Sequence, residues 1–296
     1  MQGATAKAKV WLDMDQAALD AAYDQAVYAP NQKAVHDRRM LMSSIALQRL
    51  GGPQIISYGS GANHTFDLYH AKGENQPLVI YVHGGAWKNG RARDFAVLAE
   101  TFVHAGAHVA ILDFDLVQDC NGDLRPMVEQ VRRATAKICA EAKTFGADPA
   151  RIHIVGHSSG AHMGGCILTT DWVKDFGLSQ HILRGGVLLS GMYELEPVRR
   201  SKRSEYVAFT EDTVERLSAI RHIDRLACPL ILAFGTLETP EFQRQTREFH
   251  AAVKAAGKPA ELYIGTGYNH FEILETLANP YGLLGHPALR QMGLAS

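Results

Sequence analysis

The sequence predicts an α/β fold, with a mainly parallel central sheet flanked by helices on both faces, N-terminal helices and a small cap insertion. Two observations carry this. Apolar runs of strand length recur at 78–82, 108–112, 152–155, 186–189, 230–234 and 261–264. Segments with helical periodicity fill most of the gaps, at 94–105, 124–145, 160–169 and 241–256. Continuous apolar strands alternating with amphipathic helices are what a parallel sheet covered on both faces requires.

Taken in order, the first ten residues are small and polar and read as a frayed end. Residues 17–27 and 36–50 read as helices, the second stopped by Gly51-Gly52-Pro53. Residues 54–58 and 64–70 read as short strands around a Gly-rich turn, which suggests an antiparallel pair. The alternating body then begins. Only 194–228 interrupts it, a polar stretch with its own helix signals lying between two strands, and it reads as a cap over the sheet edge. The expectation is one domain over residues 1–296, with 1–50 as a helical segment and 194–228 as the insertion. Single α/β domains often run to this size.

Composition narrows the function. At 46% hydrophobic and 21% charged residues, long disorder, a collagen-like repeat and a disulfide scaffold are excluded. Thirty Lys plus Arg against 31 Asp plus Glu leave a net charge of −1, without the basic footprint that nucleic acid or an anionic membrane needs. The expected partner is a small-molecule substrate, and a homodimer stays open. Cys120, Cys139, Cys166 and Cys228 show no CxxC spacing and read as reduced core thiols. The N-terminus has no apolar run of signal-peptide length, and no stretch approaches the about 20 apolar residues of a membrane span. A cytoplasmic enzyme is the expectation. No HExxH or other closely spaced ligand set occurs among the 14 histidines, so neither a metal nor any other cofactor is expected.

Gly156-His157-Ser158-Ser159-Gly160 follows the strand run 152–155 and opens an apolar helix. That is the strand–turn–helix setting of a nucleophile elbow, which lifts the hydroxyl of Ser158 out of the sheet beside a helix N-terminus. A Gly-rich βα turn is the plainer alternative. His83-Gly84-Gly85-Ala86-Trp87 follows the strand run 78–82. Acyl transfer builds an oxyanion, and Gly84 and Gly85 can present backbone N–H groups to it without side-chain obstruction, with the Ser159 N–H as another donor.

The nucleophile needs a base and an orienting carboxylate, in the chain order Ser, acid, His. His157 and His162 lie inside the motif, His181 and His222 in polar stretches, and His250 in a helix. His270 follows the last strand, on the loop Gly265-Thr266-Gly267-Tyr268-Asn269-His270, and is the favoured base. The loop after 230–234 offers Glu238 and Glu241 but no aspartate. Glu238 lies just past the strand end, whereas Glu241 follows Pro240 and reads as a first-turn helix residue. Glu238 is the better acid, with Glu241 open.

Together these motifs resemble the arylformamidase (kynurenine formamidase) branch of the α/β-hydrolases, next to the HGGG-type carboxylesterases. His83 to Gly90 is similar to that branch's HGGxWxxG pattern, and Gly156 to His162 to its GHSxGAH elbow. The stretch Ser190-Gly191-Met192-Tyr193-Glu194-Leu195-Glu196-Pro197 resembles SGxxDLEP, Thr239 to Gln245 resembles SPEFxRQ, and Asn269-His270-Phe271 resembles DHF. The resemblance implies an α/β-hydrolase fold, a triad of Ser158, Glu238 and His270, and an oxyanion hole of Gly84, Gly85 and Ser159. It implies a serine hydrolase for a small amide or ester, arylformamidase-like, with a carboxylesterase as the alternative and a non-catalytic ligand-binding protein as a remote one.

Two departures stand out. Glu238 occupies the place of the family's usual Asp, and the segment after Pro197 is basic, with Arg199, Arg200, Lys202 and Arg203. That cluster reads either as a solvated cap surface or as a steering patch for an acidic substrate. Trp87 and Tyr193, each just past a motif glycine or strand end, are the candidate substrate-binding residues. Trp172, Tyr206 and Phe209 are assigned to packing.

Overall fold

The structure, a computed structural model, describes residues 8–295, so most of the expected frayed end lies outside the described residues. Eight strands form one sheet: β1 Gln54–Ser57, β2 Thr65–Tyr69, β3 Gln76–Val82, β4 His108–Leu112, β5 Ala147–His157, β6 Gly185–Leu189, β7 Leu230–Gly235 and β8 Ala260–Gly265. Their order across the sheet is β1-β2-β4-β3-β5-β6-β7-β8. The β1–β2 and β2–β4 pairs are antiparallel, and every other pair is parallel.

The central parallel strands are largely apolar because both faces are covered, whereas the edge strand β8 is partly exposed. Leu78, Ile80 and Val82 of β3 join Ile152, Ile154, Leu188 and Leu232 in one core, while Val79 and Tyr81 join Val109, Val155, Val187 and Ile231 in the other. That alternation follows from the two-residue period of a strand. The first core is closed by α1 Gln16–Ala22, α4 Leu124–Glu141, α5 Ser159–Leu168 and α9 Pro240–Ala255. The second is closed by α2 Gln32–Leu50, α3 Ala96–Ala105 and α11 Gly285–Gln291. Shorter helices complete the chain: α6 Trp172–Phe176, α7 Glu196–Arg200, α8 Glu211–Leu217 and α10 Glu272–Glu275. Between β6 and β7 lie α7, α8 and two 3-10 turns, Lys202–Glu205 and Ala219–Arg225. Among the described residues, no helix is long and apolar enough to cross a membrane.

Boundaries differ from the sequence expectation where polarity masks pairing. β5 begins at Ala147 rather than 152, because the partly exposed Asp148 to Arg151 hide the strand from an apolar-run reading. The helix expected over 17–27 breaks after Ala22: Asp24 turns its carboxylate onto the Ala26 N–H and starts a separate 3-10 turn, Gln25–Tyr28.

The crossing of β5 into α5 is one of the tightest points of the fold. A Cβ at Gly160 would stand 2.0 Å from the Val82 carbonyl oxygen and 2.6 Å from that of His83, both backbone atoms at the end of β3. Neither can move without breaking the sheet. Gly160→Ala should lower stability by about 3 kcal/mol, the upper range of overpacking, read as a drop in the denaturation midpoint at constant m. An unchanged midpoint would show that the approach is not this close.

Candidate active site

Five loops at the carboxyl ends of β3, β5, β6, β7 and β8 meet at one edge of the sheet, the usual place for chemistry in an open α/β fold. Ser158 links β5 to α5 with φ 57° and ψ −124°, a conformation that side chains rarely adopt. Such strain costs about 1–3 kcal/mol and persists only where the surroundings over-determine it. Here the Ser158 N–H donates to the Leu189 carbonyl at 2.9 Å, which fixes the turn to the end of β6. The hydroxyl lines a pocket, with the residue only 7% exposed.

His270 sits on the loop after β8, and its neighbour Asn269 holds that loop. The Asn269 side-chain oxygen accepts the N–H groups of Phe271 and Glu272, and its amide donates to Asn31 at 2.7 Å. His270 Nε2 lies 2.9 Å from Ser158 Oγ and Nδ1 lies 2.8 Å from Glu238 Oε2. With the carboxylate fixing the proton on Nδ1, Nε2 faces the serine hydroxyl as an acceptor. The other Glu238 oxygen accepts the Gly235 N–H and the Ser190 hydroxyl, each at 2.6 Å. Both oxygens of this buried carboxylate are therefore bonded. The longer side chain folds back over its own loop, and Ser190, at the end of β6, braces it. Sequence reading missed Ser190 as a site residue, although it opens the SG stretch.

Glu241 is committed elsewhere. Its carboxylate receives Arg244 at 2.6 and 2.7 Å and the Tyr23 hydroxyl at 2.8 Å. Burial, and then the Glu241 charge, push the Tyr23 phenol well up. Tyr23 also accepts from the Gln245 amide, so this network pins the N-terminal segment to α9.

The Gly84–Gly85 loop lies against the elbow. A Cβ at Gly84 would meet the His157 carbonyl oxygen at 2.8 Å and Ser158 Cβ at 3.1 Å. Gly85, at φ 132°, has its carbonyl oxygen bonded by the N–H groups of Lys88 and Asn89. The Trp87 N–H donates to Ser159 Oγ at 3.2 Å, which ties this loop to the first turn of α5. Among the described residues, no protein acceptor takes the N–H of Gly84, Gly85 or Ser159.

Both candidate substrate-binding aromatics are corrected. Trp87 is 1% exposed and does not line the pocket: its indole N–H donates to His162 Nδ1 at 3.2 Å, and its ring packs behind Arg203. Tyr193 is fully buried, stacked on Phe249 at 4.3 Å, and is likewise absent from the lining. Tyr206, assigned to packing, does line the pocket, where Arg203 donates to its hydroxyl at 2.8 Å.

The basic cluster divides. Arg199 and Arg200 both pair with Glu196 and stay off the pocket. Lys202 pairs with Asp24, and buried Arg203 donates to the Tyr23 carbonyl at 3.0 Å while packing over Trp87 and Phe242. Only these last two reach the pocket, which measures about 690 Å³.

Much of the remaining lining comes from the N-terminal segment, in which the sequence reading placed helices but no site residue: Tyr23, Asp24, Gln25, Lys33, His36 and Arg39. The signal available was the spacing of Lys33, His36 and Arg39, which puts all three on one face of α2.

Known proteins share sequence and fold with this chain. The BD-FAE family model matches residues 66–181. Kynurenine formamidase of Danio rerio is 27% identical over 296 residues, covering 96% of this chain and 98% of that protein. Isoprenylcysteine alpha-carbonyl methylesterase of Arabidopsis thaliana is 27% identical over 74% of this chain and 56% of that protein. Among solved structures, a putative thioesterase from Silicibacter shares the fold at TM-score 0.79 and 24% identity, covering 89% of this chain and 95% of that one. The chain is a hydrolase of the α/β-hydrolase fold. Within that class its sequence is similar to kynurenine formamidases and to carbonyl methylesterases.

Three buried histidines, two of them beside the site, are held as neutral groups. His157 donates from Nε2 to the His270 carbonyl at 2.8 Å, and burial, then the nearby His270, hold it well below the usual imidazole range. His162 donates to the Leu217 carbonyl at 3.0 Å, and burial pushes it down to about 4. Burial does the same to His153, on β5 away from the pocket, also to about 4. A depressed folded value means that the unfolded chain binds the proton first. Stability is thus full above the ordinary value of 6.5 and lost as pH falls from there towards 4. Each histidine should contribute a slope of about 1.4 kcal/mol per pH unit in that window. Urea midpoints measured across it should show His153→Gln with a shallower slope than the parent; parallel curves would contradict the assignment.

Proposed function

We propose that the protein is a serine hydrolase that cleaves a small amide or ester through an acyl-enzyme, with an N-formyl or related aryl amide bearing a carboxylate as its substrate class. The observation that carries this reading is the unbroken chain from Ser158 through His270 to Glu238, at 2.9 and 2.8 Å, opening onto the pocket. In this reading Ser158 Oγ attacks the substrate carbonyl while its proton passes to His270 Nε2. Glu238 stabilises the imidazolium and keeps the ring oriented. The N–H groups of Gly84, Gly85 and Ser159 receive the oxyanion, each contributing about 3 kcal/mol of transition-state stabilisation. The protonated His270 then gives its proton to the leaving nitrogen or oxygen, and water, activated by the same imidazole, releases the acyl group.

Similarity to an enzyme named kynurenine formamidase over nearly the whole chain supports the amide reading. The carboxylesterase reading is favoured by the methylesterase similarity and uses the same residues. We read residues 194–228 and the N-terminal segment as a shared cap over one catalytic domain, supported by the lining residues that both supply. The four free thiols fit a reducing, cytoplasmic setting.

Ser158→Ala should reduce kcat below a hundredth of the parent value with an unchanged melting curve, and should abolish fluorophosphonate labelling. Residual turnover above that level would remove Ser158 from its role. Glu238→Gln should lower kcat/KM about 1,000-fold or more, while Glu241→Gln should act mainly on stability; the reverse ranking would transfer the acid to Glu241. Comparing kcat/KM for N-formylkynurenine and 4-nitrophenyl acetate decides between the amide and ester readings.

A further inference from the structure

The pocket is lined by the cationic or titratable side chains of Lys33, His36, Arg39, Lys88, Lys202 and Arg203, against the carboxylates of Asp24 and Asp94. Most of these cations are already engaged. Lys33 pairs with Asp37, Lys202 with Asp24, and Lys88 lies 4.4 Å above the Tyr206 ring. Arg203 is bonded to the Tyr206 hydroxyl and the Tyr23 carbonyl. Arg39, on α2, differs from all of them. Its guanidinium donates to no protein group among the described residues, whereas Arg203, whose Nε is likewise buried without a partner, still donates through both terminal nitrogens. The Phe95 ring covers one face at 4.5 Å.

The nearest carboxylates do not neutralise it. Glu275 is held by Arg38 in a two-bond pair, and Asp94 accepts the Arg91 N–H at the start of the turn before α3. Neither forms an ion pair with Arg39. Burial accordingly pulls its guanidinium below the usual arginine range. A half-buried cation without an ion-pair partner is a poor solution for stability alone. It is well suited to a ligand, because the planar fork of donors matches a carboxylate with two parallel bonds. Arg39 also stands close enough to His157, the residue beside Ser158, for its charge to act there.

We propose that Arg39 is the substrate-anchoring residue of the pocket, receiving a free carboxylate of the substrate while the scissile carbonyl lies at Ser158. This deepens, and rests on, the reading of Ser158 as the nucleophile. It places the determinant of acidic specificity on the N-terminal helix rather than in the basic cap cluster, whose pocket-facing members already hold the cap in place.

The test is a calorimetric titration of the Ser158→Ala protein, which does not turn over, with 2-formamidobenzoate and with formanilide, two probes that differ by one carboxylate. The carboxylate probe should bind about 10- to 100-fold more tightly, the range of a charge-assisted hydrogen-bonded pair. Arg39→Gln in that background should bring the two Kd values together. Its melting temperature should be unchanged or higher, since it removes an uncompensated charge. If Arg39→Gln does not fold, Arg39→Lys, which keeps the charge but loses the fork, should still weaken the carboxylate probe about fivefold. Equal affinities for the two probes, no detectable binding of 2-formamidobenzoate, or a preference that survives Arg39→Gln and disappears in Lys202→Met would overturn the proposal. Because the titration needs no chemistry, a failure of fluorophosphonate labelling at Ser158 would sink the nucleophile assignment and leave this result readable.

Discussion

The site edge depends on one close contact of backbone with backbone. Gly160, in the first turn of α5, lies against the carbonyls of Val82 and His83, so that α5 can start immediately where β5 ends. This forces the connecting residue, Ser158, into its positive-φ turn and brings the Gly84–Gly85 loop within contact of the same residue. The serine, the free amides of that loop and the N-terminus of α5 are thus a single consequence of packing one helix hard against one strand. The Ser158 N–H bond to the Leu189 carbonyl and the Trp87 N–H bond to Ser159 Oγ then fasten the turn and the loop.

The second organising element is the pair of buried glutamates, three residues apart, with opposite duties. Glu238 pairs with no Lys or Arg among the described residues, and its three bonds come from His270, Ser190 and the Gly235 backbone. Glu241 is neutralised by Arg244 and bonded by Tyr23, which fastens the N-terminal segment over the site. The difference is set by Pro240 and the start of α9. Glu241 lies inside the helix and points along it to Arg244 three residues on, whereas Glu238 stays on the loop and can turn towards β6 and β8. Two chemically identical side chains are separated in role by where the helix begins.

The roof of the pocket is built from distant parts of the chain that hold each other. Tyr23 and Asp24 receive Arg203 and Lys202 of the cap, Asn31 receives Asn269 beside His270, and Trp87 supports Arg203 from below. Charge balance inside that roof is uneven. Lys202 of the cap is paired with Asp24 and Arg203 is held by the Tyr23 carbonyl, while Arg39 of the N-terminal segment has neither an ion-pair nor a hydrogen-bond partner among the described residues. A net charge of −1 for the chain as a whole says nothing about this local excess.

Much of the architecture was legible in the sequence because it follows from local rules. Strands buried on both faces must be continuously apolar, so their positions could be read directly, to within a few residues except where β5 starts in polar residues. The elbow and oxyanion loops could be read because only glycine tolerates their close approaches, and such glycines stand at fixed offsets from Ser158 and the end of β3. Chain order then singled out Glu238 and His270. What tertiary structure alone decided was which side chains face the pocket. Trp87 and Tyr193 lie next to motif residues, yet they point into the core, because a large ring is most stable where it loses most contact with water. Arg39 and Tyr206 lie far from any motif, yet they arrive at the site because α2 and the cap fold over it. Sequence neighbourhood determines the backbone of this site, which is made of adjacent residues. Its walls are made of residues brought together from well over a hundred positions apart, and no local pattern encodes that meeting.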